Sequence, residues 1–168
     1  MNLVGERVLW HFAEARTDTA LTRAGLWLEQ LAVLSYARAE EALTGDARAL
    51  AERFAAHERE HAAAMESALQ GLTVSARNRP VGVDVDWHLP GLGDGGRDHT
   101  LAQLAELESW LLTGYQDMGR RVGELELLRT VGGVMAGGAQ HLVALRAALG
   151  RPLAPHALER GGAAGLSG

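Results

Sequence analysis

The chain has 168 residues, 47% hydrophobic and 22% charged, which suits one domain with one sizeable core. All 16 basic residues are arginine, and against 21 acids they leave a net charge of -5, which argues against a nucleic-acid surface. Without cysteine there are no disulfides, thiolate zinc sites, iron-sulfur centres or cysteine nucleophile, so any metal must be held by nitrogen and oxygen ligands. The apolar runs fall far short of the roughly 20 residues a membrane helix needs. Residues 1–11 carry two charges and no hydrophobic signal core, so a cytoplasmic location is the default expectation.

In chain order, Leu3, Val4, Val8, Leu9 and Phe12 suggest a short accessory helix over residues 3–15. From about Thr19 to Leu43, Leu21, Ala24, Leu28, Leu31, Ala32, Tyr36 and Ala39 recur at three- and four-residue steps, an amphipathic helix with Thr17 and Asp18 as candidate caps. Thr44-Gly45-Asp46 ends it and opens a second helix carrying Leu50, Phe54, His57, His61, Met65 and Leu69. Between about 72 and 98 the periodicity collapses around Pro80, Pro90 and a glycine cluster, predicting a long connection to which Trp87 would act as anchor. Helical spacing resumes near Thr100, pauses around Gly119 to Gly123, and continues through Leu127, Val131, Met135, His141 and Leu145 to Gly150. Residues from about 157 to 168 read as a flexible tail. Two helical hairpins joined by a long crossover make a four-helix bundle, all-α, over about 19–150 of a single domain.

The hairpins repeat one another. Leu28-Glu29 with Tyr36 matches Leu107-Glu108 with Tyr115, and His61-Ala-Ala-Ala-Met65 matches His141-Leu-Val-Ala-Leu145. Residues equidistant from a turn lie at one height in antiparallel helices. The midpoint of 29 and 61 is Gly45, and that of 108 and 141 falls beside the Gly119 to Gly123 break, so Glu29 should face His61 and Glu108 should face His141. Glu58 lies one turn before His61 on the same face. Glu29, Glu58, His61, Glu108 and His141 can therefore converge inside the bundle, where three carboxylates and two imidazoles need a metal counter-charge. Such ligands suit iron, manganese or zinc.

A Glu from each of two helices with Glu-x-x-His from the other two is the di-metal pattern of ferritin-like bundles, and the chain resembles that family across about 19–150. The resemblance implies metal ions as partners, iron first among them, and an iron/oxygen or peroxide oxidoreductase in which two ferrous ions held by bridging carboxylates reduce oxygen or peroxide. Tyr36 and Tyr115 are expected to be core residues whose hydroxyls bond carboxylates near the site. One ligand departs from the pattern: Gly138 stands where the second Glu-x-x-His has its carboxylate, so an incomplete, mononuclear or asymmetric site is expected. The alternative is a metal-free ferritin-like scaffold serving as a stress-related or interaction module. A storage cage is disfavoured because little chain follows Gly150, and the lack of cysteine excludes a rubrerythrin-like iron-thiolate centre. A second copy of the chain is a candidate partner through an exposed apolar helix face.

His57-Glu-Arg-Glu-His61 also fits the H-E-x-x-H string of zinc proteases, with two His ligands at i and i+4. Charged Arg59 and Glu60 inside the string, and the lack of a substrate-binding lobe, argue against that use. His11, His88, His99 and His156 have no spacing partner and are expected to face solvent, while Trp27 and Trp110 beside the two glutamates are expected to pack.

Overall fold

A computed structural model of the chain describes residues 12–69 and 79–154. Among these residues there are five helices: α1 (Asp18–Ala42), α2 (Gly45–Ala68), α3 (Gly82–His88), α4 (Gly96–Arg121) and α5 (Leu125–Ala148). α1 with α2 and α4 with α5 form the two hairpins, and α1 packs on α4 and α2 on α5 to close the bundle. The fold is the expected all-α helical bundle. No helix among the described residues is long and apolar enough to cross a membrane.

The turns explain where the helices stop. Thr17 caps α1, its hydroxyl oxygen accepting from Ala20 N at 3.2 Å. Asp18 works across the bundle instead: its carboxylate accepts from Gly123 N at 3.2 Å and Glu124 N at 2.9 Å, satisfying amides at the start of α5. Only Leu43 and Thr44 separate α1 from α2, and Gly45 turns the corner with φ of 57°, a conformation glycine adopts without strain. At the other end Gly150 has φ of 64° and its amide returns to Ala147 O at 3.0 Å, a left-handed stop to α5. The pause expected from Gly119 comes later, because Gly119 stays inside α4 and the break is the short stretch at 122–124.

The crossover departs furthest from the sequence expectation. It contains α3, which lies against α1. Val85, His88, Leu89 and Leu92 are its buried anchors, whereas Trp87 is 59% exposed. Trp87 is therefore not the anchor, and His88, expected in solvent, is buried edge-on to the Trp27 ring at 5.6 Å. An Arg38–Asp86 ion pair also joins α3 to α1, and Gln103 donates to Pro90 O at 2.8 Å. His99 is exposed as expected, and His11 and His156 lie outside the described residues.

Most of the expected accessory helix and the whole of the expected tail also lie outside the described residues. Phe12 and Ala15 are buried, and the Arg121 guanidinium donates to the carbonyls of both. Gly114 makes room for this docking, since a Cβ there would meet Phe12 Cε2 at 2.5 Å.

Candidate metal centre

Four helices each send polar groups into an otherwise apolar core. Glu29 comes from α1, Glu58 and His61 from α2, Glu108 from α4 and His141 from α5. The three glutamates and His141 are at most 1% exposed, and the His61 side chain is 16% exposed. Leu28, Leu31, Leu107 and Leu111, flanking Glu29 and Glu108, are buried.

The hairpin heights place the pairs as the spacing predicts. His61 Nδ1 is 3.5 Å from Glu29 Oε2, and His141 Nδ1 is 3.2 Å from Glu108 Oε1. Glu58 lies between them: its Oε2 is 3.3 Å from His61 Nδ1 and its Oε1 is 2.8 Å from His141 Nδ1. Two groups result, Glu29–Glu58–His61 and Glu58–Glu108–His141, and within each the ligand atoms lie within 4.8 Å of one another. Glu58 belongs to both. His57 turns Nδ1 to His141 and His61 turns Nδ1 to Glu29 and Glu58, so the pair of histidines that a zinc protease string would use faces two different partners.

The carboxylates are short of donors. Glu29 Oε2, Glu58 Oε1 and Glu108 Oε2 are buried and receive no aligned hydrogen bond. Glu58 Oε1 is close to His141 Nδ1, but the ring N–H aligns with Glu108 Oε1, so the nearer contact is an ion contact only. One oxygen from each carboxylate is thus left for another cation, and a buried acceptor without a donor is costly. The donor set of hard oxygens and imidazole nitrogens fits iron, manganese or zinc.

In the metal-free state protons take up part of this charge. Burial, and then the neighbouring Glu58, push the Glu29 carboxyl up to about 8. Burial alone would lower both His61 and His141, but carboxylates outweigh it. Glu29 and Glu58 raise His61 to about 10, and Glu108 and Glu58 raise His141 to about 9. Tyr36 donates to Glu108 Oε1 at 2.5 Å, its hydroxyl held protonated by burial and by the Glu108 charge. Tyr115 donates to Gly25 O at 3.2 Å, and burial with the nearby Glu29 likewise pushes its hydroxyl up.

Two residues gain a role that the sequence did not suggest. His57, considered there on the periodic face of the second helix and in a protease string, brings its Nδ1 within 3.0 Å of His141 Nε2. Burial and the His141 charge push it below the usual imidazole range. Gly137 accommodates His61, since a Cβ there would lie 2.6 Å from His61 Nε2. At Gly138 a Cβ would lie 3.3 Å from Glu108 Oε2, so the missing side chain would have entered directly beside the Glu108 carboxylate. Gln140, Glu124 and Glu126 are exposed, and none replaces the missing carboxylate.

A family model described as a ferritin-like domain matches residues 12–151. No curated protein and no solved structure matches the chain.

Proposed function

The chain belongs to the ferritin-like domain family, and from that premise we propose that its buried Glu/His cluster is a metal centre with one ion in each of its two groups and Glu58 shared between them. The observation that carries this reading is the set of three buried carboxylate oxygens, one each from Glu29, Glu58 and Glu108, that lack an aligned donor within two adjoining groups sharing Glu58. Iron is the favoured metal, with manganese or zinc compatible with the same ligands. Three carboxylates, where a complete site has four, balance two divalent ions better than two ferric ions, so the centre is an incomplete di-iron-type site. When bound, ferrous iron would supply the electrons for reducing dioxygen or peroxide, which makes the protein an iron/oxygen or peroxide oxidoreductase.

The chain's own residues prepare the site. Tyr36 holds Glu108 by its hydrogen bond, and Leu28, Leu31, Leu107 and Leu111 keep bulk water from the carboxylates. His61 is the one partly exposed ligand and marks the side on which ions and small oxidants reach the centre. Gly138 favours a second reading, a metal-free scaffold in which protonated His61 and His141, with a proton on Glu29, neutralise the carboxylates and the protein acts through partners.

Elemental analysis after anaerobic reconstitution with ferrous iron separates the two. The metal-centre reading predicts up to two equivalents per chain in the natural protein and none in Glu58→Ala. Equal, negligible binding by both would leave the scaffold reading.

A further inference from the structure

The two ligand imidazoles sit in different surroundings. His61 turns Nδ1 toward Glu29 and Glu58, and its Nε2 lies over Gly137 on the partly exposed side of the cluster. His141 also turns Nδ1 inward, toward Glu58 and Glu108, but its Nε2 meets His57 Nδ1 at 3.0 Å. The His57 ring lies edge to edge with His141 and nearly coplanar with it, centroids 5.2 Å apart and planes 20° apart, while Phe54 stacks on the His141 ring at 4.0 Å.

An N···N approach of 3.0 Å between imidazoles requires a proton on one nitrogen and a lone pair on the other. An imidazole that offers Nδ1 to a metal keeps its proton on Nε2, and a second group that accepts this proton fixes both tautomer and ring orientation. His57 Nδ1 is the group in that place. Phe54, His57, Glu58 and His61 recur along α2 at helical steps, so one helix supplies the shared carboxylate, one imidazole ligand and the residues that hold the other.

Resting on the metal-centre reading, we propose that His57 is the positioning residue of the Glu58–Glu108–His141 group, accepting a hydrogen bond from His141 Nε2–H and so committing His141 to bind metal through Nδ1. His57 touches no ion itself. Its effect falls on one of the two groups, because its hydrogen bond is to His141, whereas His61 turns Nδ1 to Glu29 and Glu58.

Zinc ion is the probe, since it is diamagnetic and takes the same ligands. His57→Phe keeps an aromatic ring to fill the space but removes the acceptor, and His57→Asn removes the ring but keeps an acceptor oxygen near the place of Nδ1. The expected result is that His57→Phe loses about 10–100-fold in affinity for one zinc equivalent and keeps the other. His57→Asn should recover most of that loss. In the zinc-loaded natural protein, nitrogen-15 imidazole spectra should show His141 bound through Nδ1 and protonated on Nε2. Unchanged affinity in His57→Phe, or His141 bound through Nε2, would overturn the proposal while leaving the metal centre intact. No zinc bound by the natural protein would defeat the metal-centre reading and this proposal with it. If His57→Phe does not fold, the spectrum of the natural protein and the titration of His57→Asn decide the matter.

Discussion

At Glu58 two demands meet, because its two oxygens face different histidines and it belongs to both candidate metal groups. Glu29 and Glu108 each belong to one group only. Graded losses follow: Glu29→Ala should retain one equivalent of zinc and Glu58→Ala none, measured by competition with a chromophoric chelator. Retention of a full equivalent by Glu58→Ala would show that the carboxylate is not shared. The pairing of Glu29 with His61 and Glu108 with His141 was legible from sequence, because height in a hairpin follows from distance to the turn. The part played by His57 was not. It precedes Glu58 by one residue and so lies about 100° around the helix from it, and only the packing of α2 on α5 brings His141 to that side. Tyr36 reaches Glu108 as expected, and Tyr115 donates to the Gly25 carbonyl while its hydroxyl also lies beside the Glu29 carboxylate.

Among the elements, α5 carries Gly132, Gly133, Gly137 and Gly138 within one helix, each unfavourable by roughly 1 kcal/mol relative to alanine. The structure divides them by purpose. A Cβ at Gly133 meets nothing within 4 Å, but at Gly137 it would strike the His61 ring at 2.6 Å. Gly133→Ala should therefore stabilise the protein by about 1 kcal/mol in urea unfolding. Gly137→Ala should forfeit that gain and weaken zinc binding at the His61 group, and equal stabilisation by both would remove the packing argument for Gly137. The long helices were legible because several turns of periodicity accumulate in each. α3 was not, since 7 residues hold about two turns and leave no pattern to read. Within it Val83 and Trp87 face outward while Val85 and His88 face inward, so side-chain hydrophobicity alone chose the wrong anchor.

Over the whole molecule, the cluster links stability to pH. Glu29 moves from 4.5 to about 8, His61 from 6.5 to about 10 and His141 from 6.5 to about 9 on folding. All three are raised, so the metal-free fold binds more protons than the unfolded chain between those limits, and its stability falls as pH rises through them. The contribution of Glu29 is complete below 4.5 and is lost by about 8, and those of the histidines are complete below 6.5 and are lost by about 9 to 10. Metal must displace these protons and so binds more tightly as pH rises. Melting temperatures of zinc-loaded and metal-free protein should therefore diverge between about pH 6 and about pH 8. A constant gap across that range would mean that binding releases no protons from the cluster. The two-hairpin architecture itself was legible from the internal repeat, which fixes which helices pair before any contact is known.

The most direct measurement is anomalous diffraction at the metal edge from crystals of protein loaded with zinc or ferrous iron. The account predicts a peak on each side of the Glu58 carboxylate, one beside Glu29 and His61 Nδ1 and the other beside Glu108 and His141 Nδ1. A single peak held by His57 and His61, or a cluster without any peak while Glu58 remains in contact only with the two imidazoles, would contradict it.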